Sequence, residues 1–159
     1  MMASQDSFQE ILKRHQQSPP VKVGDIARDL GLKVMVADLP LGISGKLSKD
    51  ESGVWTIRVN RGEPKSRQRF TIAHEIAHFV LHRTQIEDDL NSELADDTFY
   101  RSGLSKRIEW EANRLAAEIV MPWHLIDQAT GVNRMTPAAL ADQLQVSEVA
   151  LRIRLGLAD

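Results

Sequence analysis

The chain has 159 residues, five histidines, no cysteine and a formal net charge of −2 at pH 7. This length predicts one domain with at most a small appendage, and the lack of cysteine excludes disulfides and thiolate metal sites. The slightly acidic balance argues against a general nucleic-acid binder. Because no leader-like N-terminus and no apolar run of about 20 residues is visible, the sequence predicts a cytoplasmic protein.

The first part of the chain predicts two short helices followed by three strands. One helix presents Ile11 and Leu12 on its apolar face, and the next covers Asp25–Leu30, with Gly31 just past its end. Three β-branched-rich stretches follow, and two of them are joined by an Asp-Glu-Ser-Gly turn. The strands are expected in residues 32–40, at Ile43–Ser48 and at Val54–Asn60. Together they predict a small antiparallel sheet.

The second part of the chain predicts helices separated by one long loop. A helix over Lys65–Arg83 follows Pro64, and the acidic residues 84–105 are expected to form a surface loop. Four further helices are predicted, over residues 106–120, 123–130, 136–145 and 147–157. The fold class expected is α+β, with a domain at residues 1–131 and a helical, helix-turn-helix-like C-terminal segment at 132–159 packed on it.

The stretch RFTIAHEIAHFVLH, at residues 69–82, places polar groups in an apolar helix. His74 and His78 are four residues apart and therefore share one helix face. With Glu75 beside them they form the H-E-x-x-H arrangement, which supplies two metal ligands and a general base. Such a pattern also arises by chance, but buried polar side chains need partners. A bound Zn²⁺ is the partner that the pattern favours.

His82 is a weaker candidate for a ligand. Residues eight apart on a helix are separated by roughly 12 Å along its axis, so His74, His78 and His82 cannot easily surround one ion. We expect His82 instead to hydrogen-bond a ligand or to interact with the end of the helix.

The third ligand is expected on the helix that contains EWEANRLAAEIVMP. Helical spacing puts Glu109 on the face with Ala112 and Ala116, whose small side chains allow close packing on the metal helix. Glu111 lies on a different, charged face, so Glu109 is the favoured ligand and Glu111 its rival. Asn113, one turn after Glu109, could hydrogen-bond one of the ligands.

In combination these motifs resemble the ImmA/IrrE metallopeptidase family. The matching stretches are RQRFTIAHEIAHFVLH, EWEANRLAAEIVMP, ISGKL, WTIRVN and, near the end, LADQLQVSEVALRIRLGL. The resemblance implies a zincin-like fold in which a small sheet packs against the H-E-x-x-H helix. It also implies a zinc endopeptidase with His74, His78 and, by position, Glu109 as ligands and Glu75 as catalytic base.

The partner implied by this resemblance is a helix-turn-helix repressor of the Xre or phage type. Its cleavage would relieve repression in mobile-element or DNA-damage responses, and other members resemble toxin–antitoxin components. A peptidase also needs a group that stabilises the transition state. Tyr100, Arg101, His82 and His124 are the candidates, and the sequence does not choose among them.

A different class of function is a DNA-binding regulator. The segment LADQLQVSEVALRIRL has helix-turn-helix patterning, with Arg152 and Arg154 on its second helix. However, Gln145 stands where a turn glycine is usual, and basic residues are few. Direct DNA binding is therefore not favoured, and the same helix pair could instead dock the repressor.

Overall fold

The computed structural model describes residues 6–88, 93–95, 103–131 and 134–157, and within these ranges it contains seven helices and four strands. The predicted α+β class is confirmed. In chain order the elements are α1 (Phe8–His15), α2 (Val23–Asp29), β1 (Lys33–Ala37), β2 (Gly45–Lys49), β3 (Trp55–Asn60), α3 (Lys65–Asp88), β4 (Glu93–Ala95), α4 (Gly103–Val120), α5 (Trp123–Gly131), α6 (Pro137–Leu144) and α7 (Glu148–Arg154).

The four strands form one sheet in the order β1-β3-β2-β4. The β2–β3 and β2–β4 pairs are antiparallel, whereas β1 and β3 are parallel, so the prediction of a purely antiparallel sheet was wrong. The reason lies in β3, where Trp55, Ile57 and Val59 are all buried. A strand this apolar belongs inside a sheet, and strands buried in this way are typical of parallel pairing. It lies between β2 and β1, antiparallel to β2 and parallel to β1.

The predicted turn between β2 and β3 is confirmed. One carboxylate oxygen of Asp50 accepts hydrogen bonds from the backbone amides of Ser52 and Val54, each at 2.9 Å. Gly53 has a φ of 90°, a conformation that side chains with a Cβ rarely adopt. These contacts reverse the chain and so set the register of the hairpin.

Helix α3 is longer than predicted, since it continues past Arg83 to Asp88. The extension follows from Ile86, which is only 3% exposed and belongs to the hydrophobic core. The predicted loop 84–105 was therefore wrong in three places. Residues 84–88 belong to α3, residues 93–95 form β4, and α4 begins at residue 103. Residues 89–92 and 96–102 of that loop lie outside the described ranges. Neither α3 nor any other helix in those ranges is long and apolar enough to cross a membrane.

Helix α4 packs closely against α3. Ala112 and Ala116 are fully buried, as their helical spacing predicted. The last turn of α4 is joined to α1 by the side-chain amide of Gln16, which donates to the carbonyl oxygens of Glu118 and Ile119 at 3.1 and 2.8 Å. Carbonyls at a helix end have no partner within the helix, so Gln16 stabilises the end of α4.

The C-terminal helices α6 and α7 begin at the predicted caps. The hydroxyl groups of Thr136 and Ser147 accept from the amides three residues ahead, at 3.2 and 3.0 Å. The pair is joined to the rest of the chain by Arg69, which donates to the carbonyl of Gln145, and by Arg154, which donates to that of Met121. The division at residue 131 stays a prediction.

Candidate metal centre

Helices α3 and α4 bring His74, His78 and Glu109 together. The Nε2 atoms of the two histidines are 3.1 Å apart. The Glu109 carboxylate oxygens lie 3.2 Å from Nε2 of His74 and 2.8 Å from Nε2 of His78. All three side chains are buried, and one possible ligand atom from each lies within 4.8 Å of the others. This group could hold a metal ion.

The chemistry of the three side chains fits a divalent metal. Two imidazole nitrogens and a carboxylate oxygen are the donors found in catalytic zinc sites. Nδ1 of His74 lies 2.8 Å from the amide oxygen of Asn113. Because an amide oxygen only accepts hydrogen bonds, Nδ1 of His74 can donate to it, which leaves Nε2 as the nitrogen that would bind a metal ion. Asn113 thus contacts His74, and its role toward a metal ligand stays a prediction.

The electrostatics also favour a cation. Burial alone would raise the pKa of Glu109, but hydrogen bonds with His74 and His78 outweigh this effect and lower the pKa to about 2. Glu109 is therefore ionised at neutral pH, and its oxygens lie 3.2 and 2.8 Å from the two histidine Nε2 atoms.

His82 lies behind His78, away from the Nε2 atoms. Its Nδ1 is 3.0 Å from Nδ1 of His78, and its Nε2 is 2.8 Å from a carboxylate oxygen of Glu111. The hydrogen bond with His82 lowers the pKa of Glu111. Glu111 thus contacts His82 and not the three-residue group, and the structure places neither residue where it could share an ion with Glu109.

Glu75 is fully buried on α3, next in the chain to His74. Its surroundings include Gly45 on β2, where an added Cβ would lie 3.4 Å from Oε2 of Glu75. Gly45 is not among the site residues predicted from the sequence. Its position in the ISGKL stretch could have indicated a close approach of backbone, because glycine inside a strand often marks one.

We expect Gly45→Ala to destabilise the protein by about 1–3 kcal/mol. The new methyl group would lie 2.4 Å from Cγ2 of Thr71 and 3.0 Å from the carbonyl oxygen of Arg58, so the strand or α3 must move. Denaturant unfolding measures the loss. The matched control is Gly24→Ala in α2, where nothing lies within 4 Å and alanine should be neutral or stabilising. Equal stability of the two variants would contradict the expected clash.

A cavity of about 610 Å³ opens onto the metal-binding group. His74, Glu109 and Asn113 form one part of its wall, and Ile153 and Arg154 of α7 form another. A second cavity of about 630 Å³ shares part of this lining. The residues common to both are Arg67, Phe70, Ala150 and Ile153. The two cavities therefore form one groove that runs from the metal-binding group along α3 and α7.

Four residues are candidates for stabilising the transition state, and the structure describes two of them. Tyr100 and Arg101 lie outside the described residues. His124 has its Nε2 2.6 Å from the carbonyl oxygen of Gln16, and His82 contacts His78 and Glu111. Neither histidine lines the groove.

The chain is similar to two curated relatives, both named radiation response metalloprotease IrrE. It is 37% identical to the Deinococcus deserti protein over 94 residues, which are 59% of this chain and 32% of that protein. It is 35% identical to the Deinococcus radiodurans protein over 112 residues, which are 70% of this chain and again 32% of the relative. The chain thus spans about a third of the length of these relatives.

A solved structure shares the fold. It is that of a Mycobacterium tuberculosis transcriptional regulator, which superposes with a TM-score of 0.62 over 94% of this chain and 46% of its own. The sequence identity is 16%, so this likeness concerns the fold alone. The profile of the IrrE N-terminal-like domain of the M78 peptidases matches residues 27–156. The chain therefore belongs to the IrrE N-terminal-like family of M78 peptidases.

Proposed function

We propose that the chain is a zinc-dependent, zincin-like endopeptidase in which His74, His78 and Glu109 hold the metal. The observation that carries this proposal is the buried group of these three side chains, two of which, His74 and Glu109, line a cavity of about 610 Å³. The membership of a peptidase family and the names of the two relatives support it.

Zn²⁺ bound at this group would polarise the scissile carbonyl and acidify a water molecule. Glu75 is the proposed general base, because it is the carboxylate next to His74 on α3 that is not part of the ligand group. It takes a proton from the attacking water and passes it to the amide nitrogen as the carbon–nitrogen bond breaks. His74 and His78 are held in place by hydrogen bonds at their Nδ1 atoms.

We further propose a helix-turn-helix repressor of the Xre or phage type as the substrate, so that cleavage relieves repression in a stress response. Support comes from the family and from the radiation response named for the relatives. The groove adds a physical argument, since α7 restricts access to the metal-binding group and exposes Val149 and Ile153, 66% and 73% accessible, to a partner. Cytoplasmic localisation accords with such a substrate.

The test is to mix the protein with each transcriptional regulator encoded near its gene, with and without zinc, and to identify fragments by mass spectrometry. The expected result is a single zinc-dependent cut in one repressor and little digestion of casein. Digestion of casein at a comparable rate would contradict the single-partner proposal. Tight binding without a cut would favour a toxin–antitoxin component that acts by binding.

We expect Ile153→Asp to slow cleavage of the repressor by about tenfold or more while zinc content stays at the wild-type level. A minority of interface residues, those in its well-packed centre, cost more than about 1 kcal/mol when truncated, and a new carboxylate there would also have to be desolvated. The control is Leu81→Asp, since Leu81 is 47% exposed on α3 but lines neither cavity. Equal cleavage rates for the two variants would show that the partner does not use the groove.

The second candidate is a DNA-binding regulator, which the helix-turn-helix form of α6 and α7 favours. Its two arginines are partly engaged within the chain. Arg154 donates to the Met121 carbonyl and lies over the ring of Trp123, and Arg152 is 3.9 Å from Glu148. Strong, salt-dependent binding to duplex DNA would support this candidate, and its absence would favour the peptidase.

A further inference from the structure

We propose that Glu111 and His82 are positioning residues that fix the tautomer of His78 from the protein surface. Three side chains form a continuous chain of hydrogen bonds. A carboxylate oxygen of Glu111 lies 2.8 Å from Nε2 of His82, and Nδ1 of His82 lies 3.0 Å from Nδ1 of His78. Glu111 is a rival of Glu109 in the sequence alone, and the structure gives it this separate role.

The direction of these hydrogen bonds follows from the group at their outer end, the Glu111 carboxylate. An ionised carboxylate can only accept hydrogen bonds, so Nε2 of His82 must carry a proton and donate it. In a neutral imidazole the other nitrogen is then an acceptor, so Nδ1 of His82 accepts. The proton between the two rings must therefore lie on Nδ1 of His78. In the metal-loaded site, Nε2 of His78, which lies 2.8 Å from Glu109, would then present its lone pair to the metal ion.

His74 and His78 differ in the group that holds the proton on Nδ1. Nδ1 of His74 lies 2.8 Å from the amide oxygen of Asn113, which is an uncharged acceptor. Nδ1 of His78 is governed by a charge two hydrogen bonds away. Groups that hold a metal-binding histidine in one tautomer raise its basicity and its affinity for the metal. Glu111 thus strengthens metal binding without contact with the metal.

The position of Glu111 makes the inference testable without damage to the core. His78 and His82 are almost fully buried, whereas the Glu111 side chain is 38% exposed. A substitution at Glu111 therefore leaves the packing between α3 and α4 in place. Glu118 offers a matched control, since it lies on the same helix, is 48% exposed and is 3.9 Å from Arg114.

The experiment measures zinc affinity by competition with a chromogenic chelator. We expect Glu111→Ala to bind zinc about tenfold more weakly than the wild type, at the lower end of the range known for such outer groups. Glu111→Gln should bind zinc with an affinity between those of Glu111→Ala and the wild type, because its amide oxygen still accepts from His82 but carries no negative charge. Glu118→Ala should equal the wild type. Equal affinities of Glu111→Ala and Glu118→Ala would overturn the proposal.

Imidazole nitrogen NMR spectra of the zinc-loaded protein provide a second measurement, independent of affinity. The expected pattern is a proton on Nδ1 of His78 and on Nε2 of His82, with faster solvent exchange of the His82 proton in Glu111→Ala. A proton on Nδ1 of His82 would overturn the proposal. The effect on affinity rests on the proposed metal site. Zinc binding without peptide cleavage would overturn the proposed activity alone, and failure of the wild type to bind zinc would overturn both.

Discussion

Glu75→Gln is expected to stop peptide hydrolysis while zinc content and fold remain those of the wild type. Glutamine has almost the same size as glutamate, so it fits the fully buried position beside Gly45. Its amide cannot accept and release a proton as a carboxylate does. Loss of one well-placed general base typically lowers the rate by about 10²–10⁴-fold. His74 and His78 are unchanged, so metal binding should persist.

The measurement is the single-turnover rate of repressor cleavage, together with zinc content and the thermal melt of the same sample. Glu118→Gln makes the same chemical change at an exposed site on α4 and should cleave at the wild-type rate. A normal rate for Glu75→Gln would show that another group activates the water. Loss of zinc would instead assign Glu75 to metal binding.

Local patterns predicted the parts of the site that lie on single helices. The spacing of His74 and His78 places them on one face wherever the helix packs. Glu109 could be preferred to Glu111 because it shares a face with Ala112, and a face with small residues packs closely on a neighbour. The structure brings these three side chains into one group, and puts Glu111 beside His82.

The features that could not be predicted depend on contacts between distant segments. The parallel pairing of β1 with β3 depends on where the β2–β3 hairpin inserts, and the sequence of each strand does not encode this. The groove likewise combines the first turns of α3 with α7, about 80 positions later in the chain. From the sequence, Ile153 is only an apolar residue on an amphipathic helix, and the structure places it in the wall of the same cavity as His74 and Glu109.

The hydrogen bonds of His82 illustrate the same limit at shorter range. Helical geometry excluded it as a third ligand on one ion with His74 and His78. Helical geometry alone could not reveal that Nε2 of His82 contacts Glu111. This contact depends on the register between α3 and α4. Close packing at Ala112 and Ala116 sets that register.

Removal of zinc is expected to lower the melting temperature of the wild-type protein by roughly 5–10 °C. A metal that binds only the folded state stabilises it by about 2.7 kcal/mol at a hundredfold excess over its dissociation constant. Without the metal, the Glu109 charge lies against two buried histidines, 3.2 and 2.8 Å away. Differential scanning calorimetry before and after dialysis against a chelator, with zinc measured in each sample, gives the shift.

The variant that isolates the site is Glu109→Ala, which removes one ligand and should therefore lose most of its zinc. Its melting temperature should not respond to added zinc, whereas Glu118→Ala, which removes a carboxylate from the surface of the same helix, should respond like the wild type. If the wild-type melt is unchanged after verified zinc removal, the metal is not coupled to folding. If Glu109→Ala retains stoichiometric zinc and its thermal response, the third ligand is a different residue, because a site with only His74 and His78 cannot account for that affinity.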